Sequence, residues 1–124
     1  MENTLYLRLG HKNLKVWEEA MDLTEFIFVL TVSFPKRETY GLAAHLRKTC
    51  TSVVSNISEG ASRKSSKERR RFFEISRSSL VELDTQLEIS RRAGFIDSEL
   101  DGEIRTRLYR SFMMLTRLMN STRG

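Results

Sequence analysis

Between residues 14 and 33 apolar side chains return every three or four positions: Val16, Ala20, Leu23, Ile27, Leu30 and then Phe34, with Trp17, Met21, Thr24 and Phe28 alongside. A wide stripe at this period predicts an amphipathic helix with one buried face. Asn13 is placed to cap its start. Phe34-Pro35 ends it, because proline disfavours helical geometry in the residue before it, and 36–39 is left as a short turn.

The same reading gives three more helices. From about Tyr40 to Glu59, Leu42, Leu46, Cys50, Val53 and Ile57 repeat at steps of four and three, and Gly60 is expected to close the helix in the left-handed C′ position. Ser65, with Glu68 three residues on, has the spacing of a capping box. It opens a third helix from about Ser66 to Ala93, with Phe72, Ser76, Ser79, Leu80, Leu83, Leu87 and Ser90 on one face and Gly94 at its end. Leu100, Ile104, Leu108, Phe112, Leu115 and Met119 mark a fourth, from about Asp97 to Asn120, with Asp97 as its cap.

Four long helices joined by short connections predict an all-α fold, an antiparallel up-down-up-down four-helix bundle roughly 30 Å long. Homeodomain and helix-turn-helix folds need shorter helices. The 124 residues suit one domain, with the bundle over 13–120, a flexible N-terminal segment at 1–12 and a C-terminal tail at 121–124.

Charge changes this picture because it is localised. Of the formal net charge of +5, residues 61–77 account for all: Arg63, Lys64, Lys67, Arg69, Arg70, Arg71 and Arg77 face only Glu68 and Glu74, and the rest of the chain is balanced. Concentrated positive charge attracts polyanions, whereas the same charge spread out mainly aids solubility. The lone Cys50 excludes an internal disulfide and suits a reducing compartment, so a cytoplasmic location is expected. Neither an export signal nor a stretch of roughly 18 uncharged apolar residues is present, so no membrane partner is expected.

Few residues could carry catalysis. His11 and His45 are the two histidines, and a di-metal bundle needs a glutamate three positions before a histidine, where Arg8 and Leu42 stand. Cys50 lies on an apolar stripe with no base in its pattern, and no phosphate-binding loop or two-histidine zinc motif occurs. The sequence therefore points to a non-enzymatic protein without cofactor or metal.

Two polar constellations remain. Ser52, Ser55, Asn56 and Glu59 occupy successive turns of the second helix, and Ser76, Ser79, Glu82 and Thr85 do so on the third. If these faces meet, the groups must satisfy one another as a network that fixes register. Alternatively, Asn56 and Glu59 point to a partner at the end of the bundle beside the basic linker. In the basic segment, Arg69, Arg70 and Arg71 fan over about 200° of helix and cannot all touch one surface. Positive charge at a helix start opposes the macrodipole, which favours a use beyond solvation. Phosphates would gain from Arg63, Lys64, Lys67 and Arg70 together with the free amides of the helix start. Arg47 and Lys48 form a smaller basic pair, and Phe72 and Phe73 read as packing residues rather than stacking platforms. Trp17, Phe28 and Tyr109 near stripe edges, with the adjacent Phe72 and Phe73, leave apolar surface that predicts a homo-oligomer.

The segments "LKVWEEAMDL" at 14–23, "FPKRETYGLAAHLRK" at 34–48, "SNISEGASRKSSKERRRFFEIS" at 55–76 and "SSLVELDTQLEISRRAGFI" at 78–96 resemble the four-helix-bundle family of 23S ribosomal RNA intervening-sequence proteins, over about residues 13–120. The resemblance implies an antiparallel bundle assembled as a homopentamer, a bacterial origin and a gene inside an insertion in the large ribosomal RNA gene. It also brings a distant relative, the accessory variability determinant of diversity-generating retroelements, a pentameric bundle that binds nucleic acid and a reverse transcriptase. The family's asparagine and glutamate-glycine pair fall on Asn56, Glu59 and Gly60, its basic segment on Arg63 to Arg71, and its third-helix pattern on Leu80, Glu82, Leu83 and Thr85. Val54 stands where the family usually has a proline, and His45 and Arg47-Lys48 where it has a glutamine and paired arginines. The implied partners are RNA, with ribosomal RNA or the intervening transcript as candidates, or alternatively an acidic protein or a reverse transcriptase docked on the basic segment.

Overall fold

The computed structural model describes residues 6, 7 and 9–122. The described chain forms helices α1 (Lys15–Val32), α2 (Leu42–Ala61), α3 (Ser66–Arg92) and α4 (Asp101–Ser121), with short 3-10 turns at Gly10–Asn13, Lys36–Glu38 and Ser98–Leu100. Each helix packs on its sequence neighbours, and α4 returns to α1, so α1 and α3 stand at opposite corners. This is the antiparallel four-helix bundle. Of the expected flexible N-terminal segment, residues 1–5 and 8 lie outside the described residues, as do 123 and 124 of the tail.

Local chemistry sets the boundaries. The α1 N-cap position falls on Leu14 rather than Asn13, because the 3-10 turn carries the chain one residue further before α-helical bonding begins. Ser33 ends α1 ahead of Pro35, and Phe34 tucks into the core with its ring 5.6 Å from that of Phe95. Ser65 caps α3 by accepting from the Glu68 amide at 3.0 Å. At the other end of α3, Gly94 takes φ 82° while the Phe95 and Gly94 amides donate back to the carbonyls of Ser90 and Arg91, a Schellman closure that calls for glycine. Asp97 caps the 3-10 turn by accepting from the Glu99 amide, so α4 proper starts four residues later than expected.

Gly60 has a different job from the expected C′ role. It lies inside α2, whose helix runs on to Ala61, and a Cβ there would stand 2.6 Å from the Phe73 ring and 3.0 Å from the Arg69 carbonyl. Its missing side chain is what lets α3 approach. Phe73, not Phe72, is accordingly the buried aromatic: Phe73, Ser76, Leu80, Leu83, Leu87 and Ser90 keep an unbroken three-four spacing against the core. Phe72 sits at the edge, half-buried. α4 is less deeply set: only Ser111, Leu115 and Met119 are buried on it, while Ile104, Leu108 and Phe112 are partly covered. α2 runs unbroken through Val54, as expected where the proline is missing.

Candidate nucleic-acid interface

The corner between α2 and α3 carries the basic segment. Ser62 closes α2, three residues cross to Ser65, and α3 begins with its first-turn amides pointing outward. Arg63 stays at the edge: its guanidinium pairs with Glu59 at 2.9 Å and lies over the Phe72 ring at 4.8 Å. Lys64, Lys67 and Arg71 are exposed and, among the described residues, have no carboxylate within ion-pair distance.

The consecutive arginines separate as helical geometry requires. Arg71 faces solvent. Arg70 turns to α4, where its guanidinium donates to the Met119 carbonyl, a cation at a helix C-terminus where the macrodipole favours one. One helical repeat on, Arg77 donates to Thr116 Oγ1 at 3.2 Å and covers the Phe112 ring. Arg69 is half-buried, and its Nε is enclosed with no partner among the described residues. The expectation that Arg70 joins Lys64 and Lys67 on one phosphate-facing surface is therefore corrected, because Arg70 is occupied in holding α4.

Arg47 is corrected for a similar reason. Its Nε donates to Thr31 Oγ1 at 2.8 Å, an Nη donates to the Phe28 carbonyl at 3.2 Å, and the guanidinium covers the Phe28 ring, which ties α2 to α1. Lys48 beside it is exposed and lines a polar groove with His45, Thr49, Ser52, Glu82 and Gln86. Both lie about 20 Å along α2 from the basic corner at 1.5 Å per residue, so they extend no single patch with it.

The polar network forms, with different members from those expected. Asn56 Nδ2 donates to the Ser52 carbonyl at 2.8 Å and to its Oγ at 3.1 Å, and Ser52 and Ser79 share a hydrogen bond of 3.0 Å across the α2–α3 seam. Fully buried Ser76 donates to the Val53 carbonyl at 2.7 Å. Glu59 and Glu82 stand outside it: Glu59 is exposed and holds Arg63, and Glu82 is exposed and accepts from Gln86 on its own helix. Carboxylates at these outward positions stay in water, where their charge costs least.

Two contacts were not anticipated from sequence. Trp17 Nε1 donates to Ser58 Oγ at 3.1 Å, with His11 packed edge-on against the indole, so the N-terminal turn is fastened to α1 and α2. The reach of Arg70 and Arg77 to α4 could have been read from their seven-residue spacing, which places both on one helix face. Burial pushes the Cys50 thiol up to about 11, leaving it protonated and inert as a nucleophile near neutral pH. Among the described residues no group of three His, Cys, Asp or Glu side chains is arranged to hold a metal, and no helix is long and apolar enough to cross a membrane.

A family model described as "23S rRNA-intervening sequence protein" matches residues 12–117. The chain belongs to this family. Within the 23S rRNA-intervening sequence protein family the bundle is also seen by comparison with a solved structure: a crystal structure of a protein of unknown function from the S23 ribosomal protein family of Bacteroides thetaiotaomicron superposes with a TM-score of 0.77 at 16% identity, covering 85% of this chain and 95% of that one. At that identity the likeness speaks for the fold. A comparison with curated proteins gave no match.

Proposed function

We propose that this family member is a non-enzymatic, oligomeric helical bundle that binds nucleic acid, RNA foremost, through the α2–α3 corner. One observation carries the reading: Lys64 and Lys67 project from the corner, with Arg71 one turn on, and none has a carboxylate partner among the described residues. Arg63 at the edge and the capped start of α3 add donors for phosphate oxygens. The surface offers charge without a base-reading platform, so recognition rests on the sugar-phosphate backbone and falls steeply with salt. Assembly as the homopentamer implied by the family resemblance would set five such corners in parallel and raise their joint affinity through effective concentration.

Titration of labelled RNA, single-stranded DNA and duplex DNA at two salt concentrations tests the reading. Wild-type protein should bind RNA at low salt and weaken as salt rises, and the Lys64→Ala/Lys67→Ala variant should bind at least tenfold more weakly, with Arg71→Ala adding a smaller loss. No binding at low salt, or binding indifferent to the double change, would count against nucleic acid and leave an acidic protein, such as a reverse transcriptase, as the occupant of the corner.

A further inference from the structure

Two apolar patches face solvent on opposite corners of the bundle. On α1, Val29 and Val32 are 74% and 76% exposed; on α3, Val81 and Ile89 are 55% and 51% exposed. Within one chain they cannot meet, because α1 and α3 are separated by α2 and α4. They nevertheless lie at the same level. Arg47 of α2 bonds to Phe28 and Thr31 of α1, and the α2 residues just beside it, His45, Lys48 and Thr49, share a groove with Glu82 and Gln86 of α3. The valines of α1 are thus level with residues 81 to 89 of α3. Both helices also run in the same direction, since each is antiparallel to α2.

The geometry points to a head-to-tail contact between copies of this chain, with the Val29–Val32 face of α1 seated on the Val81–Ile89 face of the next copy's α3. Rotation about an axis along the bundle preserves both level and helix direction, so it carries one patch onto the other without a vertical shift. Charge follows the same register. Below the valines, α1 exposes Glu18, Asp22 and Glu25, and the Trp17–Ser58 bond and the Gly60–Phe73 contact set Glu18 near the level of Arg71. An acidic lower edge therefore meets a basic one. Lys64 and Lys67 lie below the first turn of α1 and stay uncovered, so the contact leaves the proposed nucleic-acid corner open and puts every corner of the assembly on one rim. Two different faces make the interface heterologous: it closes as a ring if the rotation closes and otherwise continues as a filament.

Light scattering without nucleic acid tests this separately from the binding reading. Wild-type protein should be larger than a monomer at micromolar concentration. Val29→Glu/Val32→Glu and Val81→Glu/Ile89→Glu should each give monomers with unchanged helical circular dichroism, because all four side chains are already exposed. The decisive step is to mix the two monomeric variants. Each retains one intact face, so a head-to-tail interface predicts a 1:1 heterodimer that grows no further. A monomeric wild type, an α3 variant that assembles like wild type, or a mixture that stays monomeric would each overturn the proposal.

Discussion

The α2–α3 seam and the first half of α4 are built by opposite rules. At the seam, small residues bring two helices close: Gly60 clears space for Phe73, and Ser52, Ser76 and Ser79 bond across to the opposite helix. In the first half of α4, Ile104 and Leu108 lie half-covered over a shallow cleft of about 210 Å³ beside Leu87 and Ile96, rimmed by the Arg91–Asp101 ion pair at 3.0 Å. The nearby carboxylate pushes Arg91 further up, but the pair is exposed and contributes little to stability. Close approach demands that every polar group be satisfied and every volume match. Loose coverage tolerates change.

The difference can be broken at four points of decreasing effect. Phe73→Ala at the seam should cost about 3–5 kcal/mol by cavity formation, measured by chemical denaturation. Gly60→Val belongs with it, since any side chain there must displace the Phe73 ring and the Arg69 carbonyl. Arg70→Ala, which frees the C-terminal carbonyl of α4, should cost about 1–2 kcal/mol and leave nucleic-acid affinity within twofold, because Arg70 faces α4 and not the corner. Ile104→Ala should cost only about 1 kcal/mol, at the low end for such truncations, because the side chain is already partly in water. The smallest effect belongs to His11. Burial first, and the charge of Lys12 second, hold its pKa below the usual value, so the fold favours the neutral ring. The associated stability is present above about pH 6.5 and is lost as pH falls through the lowered value. Fluorescence of Trp17, the one tryptophan, should report a slight loosening on acidification that His11→Gln abolishes.

Much of the bundle could be read from spacing because three-four periodicity is a direct image of burial. Val16, Ala20, Leu23, Ile27 and Leu30 all fall where the pattern puts them. The misreadings arise where two neighbours compete for one role. Phe72 and Phe73 both suit the stripe, and only the clearance at Gly60 decides for Phe73. Gly60 resembles a helix terminator in sequence, and its use as a gap becomes visible once α3 is beside it. Arg69, Arg70 and Arg71 form one charge run on paper but face three directions on a helix, so the net charge overstated the free cations. The polar network was half legible for the same reason: serines point across the seam, whereas Glu59 and Glu82 point away from it.

The reassignment of Arg70 makes the corner testable against its own neighbour. Salt-dependent RNA binding should be measured for wild type, Lys64→Ala/Lys67→Ala and Arg70→Ala, as the slope of log K against log salt. The account predicts that the lysine pair lowers the slope by about 0.7–0.9 for each phosphate that is no longer neutralised, while Arg70→Ala keeps the wild-type slope. A lysine variant with the wild-type slope, or an Arg70 variant whose slope falls as far, would contradict it.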